Sequence, residues 1–173
     1  MTFDADKHVG HPSFCKEDPE PSSTGIEKWP EIMNEQEAGV RWKGWGDSNG
    51  IMTKIENAAS TSVPDYIYMS GGLIMWMELK IRYNDRYIYG PPYQMAYAIR
   101  ISHHINPWQH HYIVYRESTN TFEVFTVASI RNCPLSIKGN KTRYDLQGLK
   151  PIFTIQTHED FLAYREFLEG LHF

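Results

Sequence analysis

The sequence predicts an α/β domain: a central mixed β-sheet flanked by helices. Three observations carry that expectation. Short runs alternate apolar and polar residues between turn signals, other stretches have helix-compatible composition, and residues 73–77 form a nearly continuous apolar run suited to a central strand. With 41% hydrophobic and 14% aromatic residues, a chain of 173 residues can bury one sizeable core.

Residues 1–25 mix Pro, Ser, Asp and Glu with few core-forming side chains. They offer too little apolar surface to offset the entropy of ordering, so an extended or partly disordered arm is expected ahead of one folded domain, residues 26–173. Residues 26–38 suit a short helix, with Pro30 in its first turn and Gly39 where it would stop. Gly44, Gly46 and Asp47-Ser48-Asn49-Gly50 mark a turn, after which residues 51–56 alternate like a half-buried strand. Residues 66–69 and 73–79 read as strands joined by Ser70-Gly71-Gly72, a hairpin signal because glycine takes the positive φ of tight turns. Gly90-Pro91-Pro92 breaks the chain, and residues 93–105 read as a helix ending before Asn106-Pro107. Residues 112–116 and 122–127 flank Glu117-Ser118-Thr119-Asn120 as a second hairpin, and residues 158–171 form an amphipathic closing helix. The expected order is α-β-β-β-α-β-β-α, a layered domain around a mixed sheet.

No apolar run approaches the ~20 residues needed to cross a bilayer, and the first 25 residues lack a secretory apolar stretch. A soluble, intracellular protein without membrane contact is expected, with Cys15 and Cys133 as free thiols. The net charge of -4 is unevenly placed. Residues 1–37 hold nine acidic and three basic side chains, a net of -6, which leaves +2 for the remainder. Residues 131–150 alone carry five basic residues against one Asp, so a nucleic-acid partner is compatible with the charge. Lys138, Lys141, Arg143 and Lys150 fall there with Gly139, Asn140 and Gly148 in what reads as a flexible loop. Such loops either track a phosphate backbone or simply stay solvated.

The chemistry concentrates at Asp65 and Glu78. A hairpin turned at Ser70-Gly71-Gly72 brings these distant carboxylates to one sheet edge, where they suit a hard divalent cation able to activate water and neutralise charge on a phosphate. Lys80 lies two residues beyond Glu78, so period-two alternation puts both on one face. A cation there can orient the attacking water or stabilise the transition state. The backbone carbonyl of Leu79, between them, is a further oxygen ligand.

These residues resemble the PD-(D/E)XK nuclease superfamily. Val63-Pro64-Asp65 followed by Met75-Trp76-Met77-Glu78-Leu79-Lys80 is most similar to its VRR-NUC and Holliday-junction-resolvase-like branch, including small phage-encoded members. In that branch Pro-Asp opens a strand, an apolar strand ends in Glu-X-Lys, and a Gln follows on the next helix, here Gln94. Lys54-Ile55-Glu56-Asn57 is also similar to phage members, and the resemblance spans roughly residues 51–115. It implies a restriction-endonuclease-like core and a Mg2+-dependent DNA endonuclease, with Mn2+ able to substitute. Asp65, Glu78 and the Leu79 carbonyl would hold the metal, Lys80 would position or activate water, and Gln94 would bond the scissile phosphate or a metal-bound water. The resemblance further implies branched DNA as substrate, action as a homodimer, and a role in recombination, repair or replication in the cytoplasm of a phage-infected cell. An exonuclease of the same fold and a catalytically silent DNA-binding or adaptor copy remain alternatives. The intact Asp65, Glu78 and Lys80 favour an active enzyme.

Two features depart from that pattern. Val63 stands where many relatives have Gly, and the upstream acid is open among Glu31, Glu35, Glu37 and Glu56, with Glu35 favoured. Other candidates have plainer readings. His8, His11 and Cys15 lack a fourth zinc ligand. His103-His104 and His110-His111 are adjacent pairs that point apart, and are expected at the surface or facing phosphate. Trp42, Trp45, Trp76 and Tyr97 are expected mainly in the core.

Overall fold

Strand β3 (Leu73–Ile81) divides the molecule into two cores. Leu73, Met75, Met77, Leu79 and Ile81 face one core, while Trp76, Glu78 and Lys80 point to the opposite side. The computed structural model describes residues 35–55 and 63–171. The expected arm at residues 1–25, the start of the helix expected at 26–38, Cys15, Glu31 and Glu56 lie outside those residues.

In chain order the elements are α1 (Glu35–Asp47), β1 (Ile51–Lys54), β2 (Tyr66–Ser70), β3, β4 (Tyr87–Gly90), α2 (Pro92–Ser102), β5 (His110–Arg116), β6 (Thr121–Thr126), α3 (Val127–Arg131), β7 (Leu135–Lys138), β8 (Lys141–Asp145), β9 (Phe153–Ile155) and α4 (His158–Glu169). A six-stranded sheet has the order β1-β2-β3-β5-β6-β9. Its β3 and β5 run parallel, and the other neighbours run antiparallel. A parallel pair needs a crossover, and here β4 and α2 supply it. On one face α1 and α4 bury Ala38, Trp42, Phe161, Tyr164 and Leu168. On the other, α2, α3 and a smaller sheet of order β4-β8-β7 cover Tyr112, Val114 and Phe125. This is the expected α/β arrangement, a central mixed sheet flanked by helices.

The β2–β3 hairpin turns on Gly71 and Gly72, both at positive φ, and Ser70 pairs with Leu73. Two positive φ values in a two-residue loop match the twist of the strands, as the sequence predicts. Helix α4 starts with a capping box between Thr157 and Asp160, and its acidic first turn complements the helix dipole. Helix α2 ends at Ser102, short of the expected 105, and Asn106 then caps a single 3-10 turn at Pro107–Gln109.

Helix α1 corrects the reading of its glycines as breakers, since it runs through Gly39, Gly44 and Gly46 to Asp47. Gly39, Trp42 and Gly46 share the buried face at helical spacing. A Cβ at Gly39 would overlap the Tyr66 hydroxyl, and one at Gly46 would overlap the Met52 side chain. The glycines therefore serve close helix-to-sheet approach, and packing outweighs their poor propensity.

Three other expectations change. The basic loop at 131–150 is largely ordered as α3 and the β7–β8 hairpin, turned at Gly139 with φ 61°. Strands β4 and β9 were not legible as strands. His110 and His111 are buried rather than superficial, whereas His103 and His104 are exposed. His110 stacks on Tyr112 with ring centroids 6.2 Å apart, and His111 Nδ1 lies 2.6 Å from the Tyr164 hydroxyl. Burial depresses both imidazoles, to about 4 for His110 and about 3 for His111, so each is neutral near pH 7. Trp42 is fully buried and donates to Met77 Sδ at 3.4 Å. Trp45 packs against the same core, while Trp76 is half-buried. Cys133 is a buried free thiol. Among the described residues no helix is long and apolar enough to cross a membrane.

Candidate functional site

The geometry of the site follows from where β2 begins. The last β2–β3 pair is Tyr66 with Met77, so the next positions along the register are Asp65 beside Glu78 and Pro64 beside Leu79. Asp65 replaces the ladder with its side chain: Oδ2 accepts from the Leu79 N–H at 2.9 Å. A strand residue's N–H and C=O point to the same side, so the Leu79 carbonyl faces the same end of β2. Pro64, opposite it, has no N–H to donate. The Pro-Asp step thus ends backbone pairing with β3 and leaves oxygen acceptors at the sheet edge, while on its other side the Asp65 carbonyl still accepts from the Ile55 N–H at 2.8 Å.

Glu78 and Lys80 share the face that period two assigns them, and both are buried. Lys80 Nζ lies 2.5 Å from Glu78 Oε1 and 4.0 Å from Asp65 Oδ2. Burial pushes the Glu78 carboxyl up to about 7; Lys80 opposes that shift, and Asp65 and Glu35 add to it. Burial pulls Lys80 down, but Glu78, then Asp65 and Glu35, outweigh it and hold the ammonium above the ordinary lysine value. The strand end therefore carries a fixed cation beside an acid close to neutrality.

Glu35 opens α1 and lines a cleft of about 270 Å³ with Gln36, Lys54, Asp65, Tyr66 and Leu79. The residue as a whole is exposed at the helix start, yet burial around its carboxyl raises its pKa. Lys80 lowers it, Asp65 raises it, and Lys54 and Lys141 lower it further. Tyr66 is pushed up to about 12, first by burial and then by Asp65 and Glu35. Of the two upstream acids among the described residues, Glu35 lines the cleft with Asp65, whereas Glu37 is exposed elsewhere on α1.

Gln94, in the first turn of α2, reaches the same cluster from the other side of Lys80. A Cβ at Gly90 would stand 3.1 Å from Gln94 Oε1 and 3.8 Å from Lys80 Cε, so glycine opens the space between them. Gln94 Oε1 is buried without a hydrogen-bond partner. The adjoining cavity, about 10 Å³ between Lys80, Gly90, Gln94, Tyr112 and Tyr144, is about the size of one water.

The structure thus brings Asp65, Glu78, Leu79, Lys80 and Gln94 together. Sequence reasoning missed Lys54, Tyr66, Tyr112 and Tyr144 around them. The available signal for Lys54 was the β1–β2 pairing, which sets it beside Tyr66. Among the described residues no three His, Cys, Asp or Glu side chains already converge as a metal-ligand set. Asp65, Glu78 and the Leu79 carbonyl form an all-oxygen donor set that suits a hard divalent cation retaining several waters. The strained Glu78 carboxyl is a group that such a charge would stabilise as carboxylate.

No family model matches the sequence, and no curated protein matches it. Among solved structures, the chain is similar to Hjc, a Holliday junction resolvase from the archaeal hyperthermophile Archaeoglobus fulgidus. The identity is 13% and the TM-score 0.42, covering 65% of this chain and 81% of that one. It is also similar to D212, a nuclease from a fusselovirus, at 10% identity and TM-score 0.43, covering 78% of this chain and 87% of that one.

Proposed function

We propose that this cleft is the catalytic centre of a metal-dependent DNA endonuclease of the PD-(D/E)XK type, with a restriction-endonuclease-like core, acting on branched DNA in recombination, repair or replication. The observation that supports the reading is the convergence at one strand end of Asp65, Glu78 and Lys80, with a carbonyl facing a proline between them. Buried charge at the end of an apolar strand is costly unless it has work to do.

Mg2+, or Mn2+ in its place, would be held by Asp65, Glu78 and the Leu79 carbonyl, and supplies Lewis-acid activation of water and neutralisation of phosphate charge. Lys80, whose ammonium Glu78 and Asp65 favour in the metal-free site, would position or activate water. Its ammonium fixes a water on the attacking side and stabilises negative charge growing on the phosphate oxygens. Gln94 accepts from a water beside Lys80 through Oε1 and donates to a phosphate oxygen through its amide. Glu35, across the cleft, accepts from water at the open side.

The test is to incubate plasmid, circular single-stranded and four-way-junction DNA with magnesium or manganese, comparing wild type with Asp65→Ala and Lys80→Ala. Cleavage by wild type, abolished by chelator and by both variants, is expected. Cleavage of the circular single strand separates an endonuclease from an exonuclease. No cleavage of any substrate, or equal cleavage by the variants, would overturn the reading.

A further inference from the structure

The small sheet presents two faces of opposite character. Direct antiparallel partners share a face, so Tyr87 and Asp145 form one row of the outer face, Tyr89, Arg143 and Ser136 the next, and Lys141 and Lys138 the last. Ile88, Thr142 and Tyr144 point the other way and are buried, and Tyr144 lines the cavity beside Lys80 and Gln94. A single strand, β8, therefore walls the catalytic cluster with one side and turns Lys141, Arg143 and Asp145 outward with the other.

On that outer face Arg143 and Arg86 are held differently. The Arg143 guanidinium lies over Tyr87, 4.5 Å from the ring centroid, and its Nε donates to Ser136 Oγ at 3.1 Å. Among the described residues its two Nη atoms make no hydrogen bond, and it forms no ion pair. Arg86 lies over the same ring at 4.9 Å, but its Nε and Nη2 donate to Asp145, which offsets its charge. The ring and the serine thus fix the plane of Arg143 and leave its forked end open, the arrangement that takes two oxygens of a phosphate. Lys141 is exposed two residues away on the same face, so the two cations stand roughly 7 Å apart along the strand. Successive phosphates of one nucleic-acid strand have a comparable separation.

The outer face is continuous with the cleft. Lys141 is close enough to hold the Glu35 carboxyl lower than it would otherwise lie. Tyr89, beside Arg143, packs edge-on against Tyr83 with ring centroids 5.2 Å apart, and burial and then the Glu35 charge push the Tyr83 hydroxyl up. A backbone leaving the cleft past Glu35 and Tyr83 therefore meets Lys141 and then Arg143. We infer that Lys141 and Arg143 grip successive phosphates of the DNA strand beside the one held at the catalytic cluster. The inference rests on the nuclease reading and adds to it a contact outside that cluster. Contacts of this kind set the register of the protein on the backbone and read no base sequence.

The experiment follows binding of fluorescein-labelled duplex and four-way-junction DNA by anisotropy, with the full chain in chelator so that no cleavage occurs, across a series of sodium chloride concentrations. Arg143→Gln is expected to weaken binding of both probes about tenfold and to reduce the slope of log affinity against log salt by about 1. Lys141→Gln, at an exposed position, is expected to reduce the slope by about the same amount with a smaller loss of affinity. Arg143→Lys should restore the slope but only part of the affinity, because an ammonium lacks the fork. Arg165→Gln removes the same charge from α4, on the opposite side of the main sheet, and should leave both quantities unchanged. No binding by wild type, unchanged binding and slope in a folded Arg143→Gln or Lys141→Gln protein, or an equal change in Arg165→Gln would overturn the inference. If Arg143→Gln fails to fold, Lys141→Gln and Arg143→Lys still decide. A wild type that binds through these two residues yet never cleaves in magnesium sinks only the nuclease reading; one that cleaves while its affinity ignores them sinks only the phosphate grip.

Discussion

Two buried ion pairs, of Lys80 on β3 and of Arg82 just beyond its end, lie two residues apart, and they behave differently. Arg82 pairs with Glu123 on β6 through Nη1, and its Nη2 donates to the Leu146 carbonyl at 3.2 Å. Glu123 Oε1 lies 3.6 Å from Arg116 Nη1 as well. That network ties four segments together. Lys80 and Glu78, by contrast, neighbour each other along one strand, and their link to another segment is the 4.0 Å approach of Lys80 to Asp65 at the cleft. The first pair holds the fold, while the second stores electrostatic tension that a cation can relieve.

Isosteric changes sharpen the contrast. Glu123→Gln leaves the buried Arg82 without its carboxylate, while Arg116 keeps Asp85, and is expected to cost on the order of 3–5 kcal/mol in denaturant unfolding, with the folded fraction still cleaving DNA. Asp65→Asn can still accept the Leu79 N–H, so its stability should change little. Its cleavage rate is expected to fall roughly 10²- to 10³-fold for loss of the charge, read in a single-turnover assay. Gly39→Ala should destabilise by about 1–2 kcal/mol, because displacing the Tyr66 hydroxyl outweighs the better helix propensity of alanine.

The pH responses of the two kinds of buried group have opposite signs. The folded Glu78 titrates at about 7 against an ordinary 4.5, so between these values the folded state holds a proton the unfolded chain has lost. Metal-free stability should therefore fall as pH rises from about 4.5 to about 7, and Glu78→Gln should flatten that limb of the melting profile. His110 titrates at about 4 against 6.5, so the unfolded chain binds the proton first and stability is lost as pH drops across that range. Both ring nitrogens of His110 lack partners. His110→Phe should thus raise stability by about 1 kcal/mol and flatten the acid limb.

Local signals account for what was legible in the sequence. The glycine pair at 71 and 72 dictates its turn, the apolar run of β3 dictates a buried strand, and together they bring Asp65 to Glu78. What could not be read depends on distant partners. Gly39 is explained only by the Tyr66 hydroxyl against it, His111 only by Tyr164 of α4, and the β7–β8 hairpin only by the strand β4 it pairs with. Glu35 could be favoured as the upstream acid, but only the docking of α1 on the sheet sets it in the cleft beside Asp65.

The most direct test sets Glu78→Gln beside Glu123→Gln, measuring magnesium-dependent DNA cleavage and thermal melting for each. Glu78→Gln is expected to melt at or above the wild-type temperature near pH 8 while losing cleavage at least about 100-fold, and Glu123→Gln to melt far lower while cleaving wherever it remains folded. Wild-type cleavage by a folded Glu78→Gln protein would contradict the assignment of this strand end as the catalytic centre.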